Sequence, residues 1–236
     1  MPRCFPALIA CLLALFNALP ASADTADELV FKAPASFTDL TSPENELFQE
    51  SASHAVAHGR LLRLYLPDSM AHQYRSGNRD AVTREVLVCA LKDQRTPFDQ
   101  KDMDLLARST EGLFIGFSRI PKNRTDTPAD ELKHRKQTLK KAVQEGTPLL
   151  VDSLRTSRAY LYTCLVHYPM AEHGEKAFLT TALATALVPV RGTALFVTVS
   201  SLLGRGDAEV HLEWVKETAT AFAAMIHDLN KEEKTP

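Results

Sequence analysis

Residues 177–230 constrain the fold of this chain more than any other stretch, because two strand patterns and a helix pattern follow one another and each leaves an apolar face to be covered. From Ala177 to Val188 both faces of an extended chain are apolar or small, with Leu179, Leu183 and Leu187 on one and Phe178, Ala182, Ala184, Ala186 and Val188 on the other. That is the pattern of a central strand buried on both sides. After a turn at residues 189–192, Leu195, Val197 and Val199 alternate with Ala194, Phe196 and Thr198. The β-branched residues predict a second strand, paired with the first as a hairpin. Asp207 then predicts a helix N-cap, with Glu209 in a first turn where negative charge suits the helix dipole. Val215, Thr218, Phe222, Met225, Ile226 and Leu229 recur at helical spacing, backed by Trp214 and Ala221, and predict a long amphipathic helix laid on the sheet. Burying one such side chain contributes about 1.5–3 kcal/mol, a large fraction of the net stability of a domain.

The N-terminus sets the compartment. One basic residue, Arg3, precedes an apolar run from Phe5 to Leu19, and Pro20-Ala21-Ser22-Ala23 supplies an Ala-x-Ala site. The arrangement predicts a secretory signal peptide over residues 1–23, cleaved after Ala23, and a periplasmic or secreted mature chain of residues 24–236. The run falls short of the ~20 apolar residues a spanning helix needs, and no later run is longer, so no transmembrane segment is expected in the mature chain. Leu8-Ile9-Ala10-Cys11 matches a lipobox by letter, although most of the apolar run follows Cys11. Losing Arg3 takes the formal net charge from -2 to -3. This excludes the basic domain expected of a nucleic-acid binder. Cys89 and Cys164 remain after cleavage. Two readings stand for them, a disulfide in an oxidising compartment or a pair of buried apolar thiols.

Along the chain, Glu28 to Ala33 reads as a first strand and Ser36 to Ser53 as loop with one helical turn. Arg60 to Pro67 and Arg84 to Lys92 read as strands, separated by a short helix capped by Asp68. A helix is expected from about Asp99, a loop over Arg119 to Ala129, and a charged helix over Asp130 to Glu145 ended by Gly146. Leu149 to Leu154 and Arg158 to Tyr168 supply further strands. With no internal repeat and no βαβ series, the sum is an α+β fold in one domain, a mainly antiparallel sheet of six to seven strands with helices on its faces.

Gly59-Arg60-Leu61-Leu62 opening an early strand, Val190-Arg191-Gly192 opening the last, and the closing run through Glu213-Trp214-Val215 into Ala223-Ala224-Met225-Ile226 and Asn230 resemble uncharacterised bacterial periplasmic proteins of the PsbP/Mog1-like fold. The resemblance implies an α/β/α sandwich whose known members chiefly bind other proteins, plant members photosystem II and yeast-type members a small GTPase. It brings no catalytic motif. The secretion signal separates this chain from the GTPase binders, whose partner is therefore not transferred.

Few residues point to chemistry. Glu50, His54 and His58 lie four apart, a spacing that on one helix aligns a carboxylate and two imidazoles as metal ligands would be. Exposed loop histidines explain the same letters, and Gly59 would end the helix directly after His58. His167, Glu172 and His173 cluster at a strand end, as pH-sensitive contacts or as solvated turn residues. Lys133, His134, Arg135, Lys136, Lys140 and Lys141 make a basic helix surface suited to anionic lipid or an acidic partner, or to water alone. Arg205-Gly206-Asp207 spells an adhesion tripeptide that a turn and a helix cap already explain, and Asn123-Arg124-Thr125 is a glycosylation sequon of consequence only in a eukaryote. The chain has no Gly-x-Ser-x-Gly elbow and no phosphate-cradling glycine loop, and no cofactor is implied. The expectation is a non-enzymatic binding or accessory module of the cell envelope, acting on an envelope protein or a small ligand. The alternative is a secreted hydrolase whose site is assembled from distant residues.

Overall fold

The computed structural model describes residues 25–55, 59–91, 97–120, 127–170, 177–204 and 206–231. The signal segment, Cys11, the sequon, Glu172, His173 and Arg205 lie outside them. Among the described residues are five α-helices, α1 (Glu46–Ala55), α2 (Asp68–Arg75), α3 (Gln100–Gly112), α4 (Pro128–Glu145) and α5 (Ala208–Leu229). The strands are β1 (Phe37–Asp39), β2 (Gly59–Pro67), β3 (Arg84–Leu91), β4 (Ser118–Arg119), β5 (Leu149–Arg155), β6 (Tyr160–Met170), β7 (Ala177–Val190) and β8 (Thr193–Leu202). All eight form one sheet in the order β1-β2-β3-β8-β7-β6-β5-β4.

The β7–β8 hairpin sits near the centre, paired from Thr181↔Leu202 to Val190↔Thr193. Its two-residue turn places both Arg191 (φ 47°) and Gly192 (φ 75°) in the left-handed region. A turn with positive φ at both positions has the twist that antiparallel strands need. Alternation then sends the two sides of each strand into different layers. Val86, Val88, Ala184, Ala186, Val197 and Val199 meet Leu139 and Ala142 of α4 and Val215, Ala219, Phe222 and Ile226 of α5. Leu87, Cys89, Leu187 and Phe196 face the other way, onto Leu47 of α1, Ala71 of α2 and Met103 and Leu106 of α3. Helices therefore cover both faces.

Capping explains where the long helices start and stop. Asp99 and Thr127 open α3 and α4 with reciprocal capping boxes to Asp102 and Asp130, Asp207 caps α5 through the Glu209 amide, and Gly146 ends α4 in the left-handed conformation. Asn230 ties the ends of the chain together. Its side-chain amide accepts from the Val30 N–H at 2.7 Å and donates to the Val30 carbonyl at 2.8 Å. Its backbone carbonyl accepts from Arg191 Nε at 3.1 Å.

Several expectations are corrected. The sheet has eight strands rather than six or seven, and β4 pairs with β5 in parallel, through Ser118↔Leu149 and Arg119↔Leu150. Glu28 to Ala33 is not a strand: a 3-10 turn occupies Thr25–Glu28, and Val30 spends both backbone groups on Asn230 instead of on a ladder. The stretch read as loop with one helical turn holds β1 and most of the ten-residue α1, whose Leu47 and Phe48 amides are capped by Asn45 Oδ1 at 3.0 and 3.2 Å. Asp68 is the first residue of α2 and not its cap; Pro67 holds the cap position. Cys89 and Cys164 are free and buried on β3 and β6. Two strands stand between them, which alone sets them about 14 Å apart across the sheet, too far for a disulfide to span. Burial pushes both thiols up to about 12.

Candidate functional site

The face of α5 turned away from the core builds the site. Its apolar stripe docks on the sheet, which leaves Glu209, Glu213 and Glu217 one turn apart along one flank. Like charges at that spacing cost a helix about 0.2–0.5 kcal/mol per pair. Two cations offset part of this charge. Arg135 of α4 donates from Nε to Glu209 Oε1 at 2.6 Å and stands 4.0 Å from Asp152 of β5, while Lys216 donates to Asp152 Oδ2 at 2.9 Å. The string Glu209, Arg135, Asp152 and Lys216 thus links α5, α4 and β5 in partly buried positions.

Beside this string runs a groove of about 630 Å³, lined on its charged side by Arg135, Asp152, Glu209, Glu213, Lys216 and Glu217. Leu212, Ala221 and Ala224 give it an apolar side, and Thr163 of β6 lies at its floor. Thr163 is 1% exposed, and among the described residues its hydroxyl meets no hydrogen-bond partner; neither does the buried Glu209 Oε2. A buried polar atom without a partner costs about 1–3 kcal/mol. Among the described residues Glu213 and Glu217 form no ion pair, so four carboxylates face two cations that are already engaged. The groove is equipped to take a donor of positive charge.

Other constellations are less open. On the opposite face Asp104 accepts from Tyr160, from Gln100 Nε2 at 2.8 Å and from Arg155 at 3.3 Å, beside a cavity of about 250 Å³. The Tyr160 and Gln100 hydrogen bonds hold the Asp104 carboxyl below the usual range, and burial pushes the Tyr160 hydroxyl up. Asp104, Tyr160, Gln100 and Arg155 satisfy one another there, which describes a structural cluster. Ser201 Oγ lies 2.8 Å from His211 Nδ1, a serine–histidine pair within α5's first turns and β8. Ser201 is fully buried and also receives Arg84 Nε at 3.2 Å, so its oxygen is closed off from solvent. Burial, with the Arg84 charge beside it, holds the His211 imidazole below its usual range.

The residues singled out from sequence are scattered. Glu50 and His54 are exposed on α1, the helix ends at Ala55, and His58 lies outside the described residues. Among the described residues no group of three or more His, Cys, Asp and Glu is placed to hold a metal ion. His167 is half-buried on β6, with Nδ1 3.0 Å from Thr180 Oγ1 and its ring edge-on to Phe178. Burial holds its pKa below the usual range. The basic surface of α4 is smaller than its letters imply, since Arg135 turns inward and Lys141 stands 3.9 Å from Glu145. Sequence reading passed over Thr163, Asp152 and Lys216 because each sits alone among apolar or charged neighbours. The one available signal was the Glu209, Glu213, Glu217 spacing. Compared with family models, curated proteins and solved structures, the chain returns no match.

Proposed function

We propose that this chain is a non-enzymatic binding module of the bacterial cell envelope, exported by the signal segment and acting through the acidic groove between α5 and β5 on a cationic ligand or protein segment. The observation that carries the reading is the pair of outer carboxylates on the groove, Glu213 and Glu217, which form no ion pair among the described residues. Like charges at that spacing destabilise the free protein, and a bound cation would compensate them. The resemblance to the PsbP/Mog1-like fold supports the same class of function, because the known members of that fold chiefly bind. Export through residues 1–23 places the partner in the envelope, and among the described residues no helix is long and apolar enough to cross a membrane.

The test is calorimetric titration of the mature chain with tetralysine amide at low ionic strength. Saturable binding is expected, weakened about ten-fold or more by the Glu213→Gln/Glu217→Gln pair and by added salt, which screens exposed charge over a few ångströms at 1 M. Heats indistinguishable from dilution, or equal affinity of the double variant, would remove the groove from the account.

A further inference from the structure

The occupant of this groove has a shape as well as a charge, and the outer edge of β5 supplies it. This inference rests on the binding function proposed above and adds the class of partner. β4 covers only Leu149 and Leu150 of β5. Over residues 151–155 β5 keeps its ladder to β6 on the inner side, from Asp152↔Thr163 to Arg155↔Tyr160, and among the described residues no strand pairs with its outer side. Such an edge presents a row of backbone donors and acceptors with a period of two residues.

This edge, open among the described residues, lies between two concavities. Asp152 points to α5, where Lys216 holds it, and Arg155 points to α3, where it meets Asp104. The acidic groove therefore flanks one face of the edge and the 250 Å³ cavity beside Tyr160 flanks the other. Two ion pairs show how α5 lies against the strand: Lys216 reaches Asp152 at 2.9 Å, and Asp228 is reached by Arg158, just beyond β5, at 3.1 Å. Helix and strand run in the same direction, so a chain added along β5 also runs along the groove. At the edge Leu154 is 42% exposed, an apolar side chain that an added strand would cover. Alternate side chains of an added strand would enter the two concavities in turn.

Charge selects the partner. On the α5 side Glu213 and Glu217, without an ion pair among the described residues, stand one helical turn apart, about 6 Å of rise, close to the ~7 Å between same-face residues of a strand. We propose that residues 151–155 of β5 accept an extended segment of a partner protein as a ninth strand, with lysine or arginine side chains of that segment turned toward Glu213 and Glu217.

The experiment selects a displayed library of random dodecapeptides on the full mature protein. The best binder is then synthesised in three forms: unmodified, and N-methylated at each of the two alternate sets of backbone amides. Selected peptides are expected to carry Lys or Arg at every second position. One N-methylated form should lose about ten-fold or more in affinity while the other keeps it, because only one set of amides faces the edge. Amide exchange at residues 152–155 should slow in the complex. Selection of peptides without basic residues, or equal affinity of all three forms, would overturn the strand-addition proposal. Tetralysine binding that survives alongside that negative result would leave the acidic groove standing and sink only the added strand. Sedimentation of the free protein as a dimer with residues 152–155 already protected would also overturn it, by making a second copy the occupant.

Discussion

Thr163 shows at the scale of one residue why the site was hard to read from the letters. A threonine between Tyr162 and Cys164 in a strand is an ordinary β-branched residue, and only the fold sets it beside Asp152 with its hydroxyl lacking a partner among the described residues. Replacing it by valine keeps the shape and removes the unsatisfied oxygen, so Thr163→Val should raise stability by about 1 kcal/mol. Urea denaturation reads the sign, and a variant that loses stability would show that the hydroxyl is already satisfied. Asn230 makes the opposite case. It was noticed as part of a closing run, but its clamp on Val30, two hundred residues away, is invisible to any local pattern. The same clamp turned a strand-like stretch, Glu28 to Ala33, into an irregular one.

Among the elements, those with a long period and a cap were legible. The hairpin of β7 and β8 and the helix α5 lie within two residues of where alternation, a glycine turn and Asp207 put them. Leu229 and Ala221, counted into the apolar stripe, are exposed instead, and Leu212, Ala219 and Ala223 take up the buried face. β1 and β4 were missed because three and two residues are too few to establish a period. α1 reads from sequence as only one helical turn because its Asn45 cap sits among polar residues that also favour turns. Phe222 tests the central packing. It is fully buried, edge-on to Phe37 at 5.1 Å and against Tyr65 at 5.2 Å. Phe222→Ala should cost about 3–5 kcal/mol by thermal or urea unfolding. A loss under 1 kcal/mol would mean that α5 does not close the sheet as described.

For the molecule as a whole, the α+β class followed from the absence of a βαβ series, whereas the strand count and the single parallel pair did not. Pairing between β4 and β5 joins segments about thirty residues apart, and nothing in either sequence specifies the other. The charged string illustrates the same limit, since α4, β5 and α5 contribute to it separately. What those three elements enclose is an acidic groove beside a strand edge that is open among the described residues, and the account rests on that groove being where a cationic partner is held. Backbone amide shifts of the isotope-labelled mature chain, followed by NMR during titration with tetralysine amide, test it most directly. The largest changes are predicted at Asp152, Thr163, Glu209, Glu213 and Glu217, with α1 and α2 unmoved. Changes centred elsewhere, or spread evenly over the surface carboxylates, would contradict it.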